Sequence, residues 1–237
     1  MLKFLGTGSA FADSHNCAFF IENNELVLLD CPATAFQIVK NWNLKDFDNI
    51  YVLVTHTHGD HSGGIGTFLQ YVWFSNYDSN IKKGKKITVV APSEKVELDL
   101  NLLLRHIEGC ESRWFNITTA DKLKKDWFVS AIKTTHTETL KDRCFGYALR
   151  IDGKNVIYTG DTATLEPYME FITPGTYLFT EASINGGGVH IKLETALPEL
   201  KKLSENGVKV YLMHLDNESK IKAMIEGTDI EIAPLWK

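Results

Sequence analysis

Cysteine is scarce in this sequence and follows no pattern: Cys17, Cys31, Cys110 and Cys144 lie far apart, with no C-x-x-C pair among them. That spacing supports neither a disulfide framework nor a zinc ribbon, and four reduced, mostly buried thiols are expected instead. Long apolar runs are missing as well. None approaches the ~20 residues needed to cross a bilayer, so no membrane contact is expected. The opening Met1-Leu2-Lys3-Phe4-Leu5-Gly6 has no secretory-type apolar stretch and runs at once into a strand-like segment, which predicts a cytoplasmic protein. Positive charge is in deficit. A formal net charge of −5 argues against a broad nucleic-acid surface, whose affinity would come mostly from neutralised phosphates. The densest basic run, Lys82-Lys83-Gly84-Lys85-Lys86, precedes an apolar segment and reads as a solvated turn. No proline-rich or low-complexity linker interrupts the chain, so one domain over residues 1–237 is expected.

What is present is an alternation of strand-length apolar segments with longer segments of helical period, the pattern of an α/β domain. Strands are expected at Lys3 to Leu5, Cys17 to Ile21 and Glu25 to Asp30, forming a meander with Asn23-Asn24 at its second turn. A helix over Ala33 to Trp42 then precedes a buried strand at Ile50 to Thr55 and a helix from Gly64 to Phe74. After a strand at Ile87 to Val90 and a helix from Glu94 to His106, the second half repeats the logic of the first. Asp152-Gly153 predicts a tight hairpin within Phe145 to Tyr158. Further strands are expected at Phe128 to Thr135, Tyr177 to Thr180 and Val208 to Met213, the last preceded by a helix that ends at Asn206-Gly207.

Chemistry concentrates just after the strand Ile50 to Val54, in Thr55-His56-Thr57-His58-Gly59-Asp60-His61. Two histidines one residue apart on an extended chain project to the same side, so His56 and His58 suit one metal ion together. Gly59 permits a sharp turn that carries Asp60 and His61 toward a second ion. His15 and His106 lack such company: His15 is expected at most to line the cleft, and His106 to sit on a helix.

The spacing H-x-H-x-D-H resembles the metal signature of the metallo-β-lactamase superfamily, and the likeness runs from Phe4 to His214. The resemblance implies a four-layer αββα sandwich. It makes Asp30 a buried aspartate bracing the histidine loop, His136 the third ligand of the first metal, Asp161 the carboxylate between the metals and His214 the remaining ligand of the second. Phe4-Leu5-Gly6-Thr7-Gly8-Ser9-Ala10 and Asp30-Cys31-Pro32-Ala33 resemble the RNase Z branch and its small phosphodiesterase relatives. Thr180-Glu181-Ala182 followed by Gly188-Val189-His190 resembles the part of RNase Z in which a glutamate and a histidine assist the leaving group, although Lys192 stands where that family has Ser or Thr. Aspartate at 161 and histidine at 58 disfavour the zinc β-lactamase and flavodiiron branches.

The expected function is therefore that of a dinuclear metal-dependent hydrolase, with Zn²⁺ the first choice and Mn²⁺ or Fe²⁺ tolerated by the all-N/O ligand set. Two ions can generate a bridging hydroxide near neutral pH. Asp60 would take its proton, and His190, oriented by Glu181, would protonate the departing oxygen. A poor alkoxide leaving group gives that proton its use, so the expected substrates are small phosphodiesters, cyclic nucleotides or short RNA ends. A carboxyl-ester, thioester or lactone hydrolase on the same metals is the alternative, and a metal-bound sensor without turnover is a third reading. The sequence stops soon after His214, so the helical substrate domain of glyoxalase II is expected to be absent. An RNase Z-like tRNA 3′-processing role is disfavoured, because only the 24 residues Thr137 to Gly160 stand where the clamping arm would be inserted. Pairing as a homodimer is left open.

Overall fold

The computed structural model describes residues 1–236. Its strands fall into two six-stranded sheets, each built by the same rule. In the first, β1 (Lys3–Gly6), β2 (Cys17–Glu22) and β3 (Glu25–Leu29) form an antiparallel meander. Three parallel neighbours follow, β4 (Asn49–Leu53), β5 (Ile87–Ala91) and β6 (Phe115–Thr119). The second sheet repeats this with the meander β7 (Phe128–Thr134), β8 (Cys144–Ile151) and β9 (Lys154–Tyr158). Its parallel run is β10 (Tyr177–Glu181), β11 (Lys209–Met213) and β12 (Glu231–Ile232). The internal repetition read from the sequence is thus real, and the Asp152-Gly153 turn joins β8 to β9 as expected, with both residues at positive φ.

The sandwich follows from the period of two in the strands. Leu26 and Leu28 of β3 belong to an apolar cluster under the helices, while their neighbours Val27 and Leu29 belong to the cluster between the sheets. Cys17 and Phe19 of β2 alternate with Ala18 and Phe20 in the same way. Because both faces of each sheet are buried, helices must cover the outside. On the first sheet these are α1 (Ala33–Val39), the one-turn α2 (Gly59–Ser62), α3 (Ile65–Ser75) and α4 (Glu94–Asn101). On the second they are α5 (Leu193–Glu205) and α6 (Glu218–Ile225), which pack on a third cluster. The result is the αββα arrangement of the metallo-β-lactamase fold.

Several boundaries differ from expectation. The helix expected to reach Trp42 ends at Val39, because Trp42 leaves the helical path to pack against Phe19 at 4.8 Å and Trp236 at 5.0 Å between ring centroids. The helix expected over Glu94 to His106 stops being α-helical at Asn101 and continues as a π-helical segment, Leu102–Ile107. The wider turn keeps Leu104 in the cluster that holds Val96 and Leu100, at the cost of exposing Leu102 and Ile107. His106 lies exposed on that turn. The strands at Phe115, Glu231 and the helix at Glu218 were not among the expected elements. All four cysteines are free and buried, as expected. No helix among the described residues is long and apolar enough to cross a membrane. The lysine run 82–86 forms a mostly exposed turn before β5.

One polar contact ties the two sheets together inside the apolar layer. The hydroxyl of Tyr147, on β8 and wholly buried, donates to the carbonyl of Val54 just past β4, at 2.6 Å. Tyr147→Phe should leave that carbonyl without the donor and lower the unfolding free energy by about 1–2 kcal/mol in urea melts. An unchanged midpoint would show that the inter-sheet packing needs no such tie.

Candidate metal centre

Parallel strands bring their C-terminal ends to one edge of each sheet, where a crevice opens. Asp30 follows β3, His56 follows β4, His136 follows β7, Asp161 follows β9, Glu181 ends β10 and His214 follows β11. All the expected site residues meet there. His56, His58 and His136 offer ligand atoms lying within 4.8 Å of one another, and so do Asp60, His61, Asp161 and His214. His190 falls within the same reach of His136 and Asp161. His15 does not line this cleft, contrary to the place allowed for it; its backbone N–H donates to Thr34 Oγ1 beside α1.

Asp30 sets the geometry from behind. It is fully buried with φ +63°, a left-handed conformation that aspartate tolerates better than most residues. Its Oδ1 accepts from the Thr55 N–H at 2.8 Å, and its Oδ2 lies 2.9 Å from the Thr55 hydroxyl and 2.8 Å from His61 Nδ1. One carboxylate therefore fixes the start of the histidine loop and turns His61 so that Nε2 faces the site. His136 is oriented in the same manner: Nδ1 donates to the carbonyl of Val189 at 2.8 Å, leaving Nε2 toward Asp161. His56 Nε2 and His58 Nδ1 face each other at 3.0 Å.

Charge is arranged to match. Burial, together with neighbouring imidazoles, keeps His56 well below the ordinary histidine range, and burial also lowers His58 and His136. Neutral rings present lone pairs, the form in which histidine binds a metal. Burial would raise Asp161, but His214 and His61 outweigh it and hold the carboxyl well below its usual range. Burial acts against ionisation of Asp60 too, and hydrogen bonds with His214 and His61 more than offset it. The residues fit a metal on a structural ground as well. His61 Nε2 and Asp161 Oδ1, both buried, lie 3.2 Å apart without hydrogen-bonding geometry, so each lacks a partner among the described residues. An ion between them would satisfy both.

Beside this cluster, His190 Nδ1 lies 2.7 Å from Glu181 Oε2 and 4.0 Å from Asp161 Oδ2. Glu181 is completely buried and also accepts from the Thr162 N–H, so it is not an exposed strand-end charge. Burial, reinforced by Asp161, pushes its carboxyl well above the usual range. Sequence reasoning missed Asp216, two residues past His214. Its carboxylate accepts from the Ser183 hydroxyl at 2.7 Å and from the Ile184 N–H at 2.9 Å, which shapes the loop leading to His190. The signal available was an aspartate placed next to a strand-end histidine. The cleft above these groups has a volume of about 400 Å³.

The fold is that of the metallo-β-lactamase proteins, and residue types that can ligate metals are gathered at its crevice. Among solved structures the chain is similar to the metallo-β-lactamase fold protein YhfI from Bacillus subtilis, with a TM-score of 0.72 over 98% of this chain and 95% of that one at 16% identity. It is also similar to human tRNase Z, short form, with a TM-score of 0.66 over 100% of this chain and 97% of that one at 18% identity. The sequence profile of the family described as anti-Pycsar protein Apyc1 matches residues 1–230, and the chain belongs to that family. A relative of that name from Bacillus phage vB_BveM-Goe7 is 27% identical over 236 residues, covering 90% of this chain and 88% of its own.

The bracing role of Asp30 has a measurable consequence. Asp30→Ala should cost about 3 kcal/mol or more of unfolding free energy, because it leaves a buried imidazole and a buried N–H without their partner. Asp30→Asn keeps the volume and tolerates the left-handed backbone, so its loss should be smaller. Chemical denaturation of all three proteins tests this, and an Asp30→Ala variant as stable as the parent would contradict it.

Proposed function

We propose that the chain is a dinuclear metal-dependent phosphodiesterase acting on small phosphodiesters, with cyclic nucleotides the foremost class, and that it acts against Pycsar as the name of its family states for its relatives. The observation that carries this reading is the Glu181–His190 pair, 2.7 Å apart at the rim of the imidazole and carboxylate cluster. In this reading His56, His58 and His136 would hold one ion and Asp60, His61, Asp161 and His214 the other, with Asp161 also within 4 Å of His56 and His136. Zn²⁺ is the first choice for an all-N/O set, with Mn²⁺ or Fe²⁺ as alternatives. Bound ions would polarise the phosphoryl oxygens and lower the pKa of an attacking water.

The remaining work belongs to side chains. Asp60, kept ionised by His214 and His61, accepts the proton of the attacking water. His190 is held through Nδ1 by Glu181, which leaves Nε2 to hand a proton to the departing sugar oxygen. In a cyclic nucleotide the water oxygen joins phosphorus, the phosphorus–alkoxide bond opens, and the product remains one molecule with a free hydroxyl. A cleft of about 400 Å³ suits a ligand of this size. The stretch between His136 and Asp161 is taken up by a short 3₁₀ turn and the β8–β9 hairpin, which leaves no tRNA-clamping arm there.

Paired substrates test the assignment. His190→Ala should lower kcat by roughly 10² to 10⁴ on an alkyl phosphodiester, the span of a general acid. The loss should shrink on a p-nitrophenyl ester, whose leaving group departs unaided, and the metal content should not change. Equal losses on both substrates, or loss of metal, would make His190 a ligand or positioning residue. Turnover of thioesters or lactones in preference to any phosphodiester would overturn the substrate class.

A further inference from the structure

Phe11 is fully exposed, and its place rather than its exposure is what singles it out. It lines the same cleft as His58, Asp60 and His190, and of the large exposed hydrophobic residues among those described it is the one that does so. No other aromatic ring among the described residues packs against it. Its neighbours Phe4 and Phe19, by contrast, are buried in the two clusters on either side of the first sheet.

The loop that carries Phe11 is held firmly. The Ala12 N–H donates to the Ser9 carbonyl at 3.0 Å, closing a turn with Ala10 and Phe11 at its corner. The Gly8 N–H donates to Ser14 and the Asn16 N–H to Gly8, at 3.0 and 2.8 Å. A β-carbon on Gly8 would lie 2.3 Å from Ala12 Cβ and 2.6 Å from the Ser14 carbonyl, so the loop closes on itself only because that residue is glycine. Two further bonds staple the loop to the residue after His214: Leu215 N–H to the Thr7 carbonyl at 2.7 Å, and Ser9 N–H to the Leu215 carbonyl at 3.0 Å. The backbone that carries the ring is thus held beside the strand end that presents His214.

We propose that Phe11 is the stacking platform for the substrate's nucleobase, a subsite that grips the flat heterocycle while the phosphodiester lies over the imidazole and carboxylate cluster. The proposal rests on the phosphodiesterase reading and adds to it the part of the substrate that is not reacting. Stacking on an aromatic face is indifferent to base identity, because every base has such a face. Asp216 also lines the cleft, and its carboxylate accepts from the Ser183 hydroxyl and the Ile184 and Asn185 N–H groups. A stacking platform of this kind accepts purines and pyrimidines alike, with the larger purine surface held more tightly.

The test uses metal-loaded protein, Phe11→Ala and Phe11→Trp, with 3′,5′-cyclic nucleotides beside the cyclic phosphate of ribose that carries no base. Phe11→Ala should raise KM for the nucleotides about tenfold or more while kcat and the kinetics on the base-free compound stay unchanged. Phe11→Trp should restore the low KM. An unchanged KM, or equal losses on nucleotide and base-free compound, would overturn the stacking role. If the parent protein cleaves neither compound, the phosphodiesterase reading fails on its own. Calorimetry with a nucleoside monophosphate and ribose 5-phosphate then decides the subsite: selective weakening of the nucleotide by Phe11→Ala sustains it, and equal or absent weakening overturns it.

Discussion

Asp161 is a buried carboxylate with five imidazoles around it. Its oxygens lie 3.2 Å from His61, 3.4 Å from His214, 3.7 Å from His136, 3.9 Å from His56 and 4.0 Å from His190. A charge in such a place costs several kcal/mol unless it is compensated, and His214 and His61 beside it lead that compensation. Three of these histidines are in turn aimed by something behind them: His61 by Asp30, His136 by the Val189 carbonyl and His190 by Glu181. The site is therefore an ordered stack of outer groups orienting inner ones around a single carboxylate.

The sandwich makes this possible by repeating one pattern twice. Each half supplies a meander and a parallel run, so strand ends from both halves converge at one crevice. The backbone is bent out of its ordinary range where the crevice needs it: Asp30 and His214 both take positive φ without being glycine, at +63° and +50°. Such conformations persist only where surroundings over-determine them. Around Asp30 the hydrogen bonds to Thr55 and His61 do so, and next to His214 the two backbone bonds of Leu215 serve the same end.

Much of this was legible in the residues. The histidine loop and the Asp152-Gly153 hairpin carry local signals, in ligand spacing and in turn chemistry, while Asp30, His136, Asp161 and His214 were placed by family resemblance, each after an expected strand. The Glu181 and His190 pairing was likewise visible only through resemblance, since eight residues separate the two. β6 was not legible, because Phe115-Asn116-Ile117-Thr118-Thr119 has no clean alternation and is held as a strand by pairing with β5. The end of α1 and the π-helical turn after α4 were not legible either: both are decided by tertiary packing, of Trp42 on Phe19 and of Leu104 beside Leu100. Asp216 and Phe11 lack a motif, and only their positions around the cleft give them meaning.

The central claim is that the imidazoles and carboxylates around Asp161 are one binding centre for two metal ions. Anomalous diffraction from crystals of metal-loaded protein, recorded at the absorption edge of the loaded metal, tests it most directly. The account predicts two anomalous peaks per chain, one among His56, His58 and His136 and one among Asp60, His61 and His214, with Asp161 between them. A single peak, or peaks away from these residues, would contradict it.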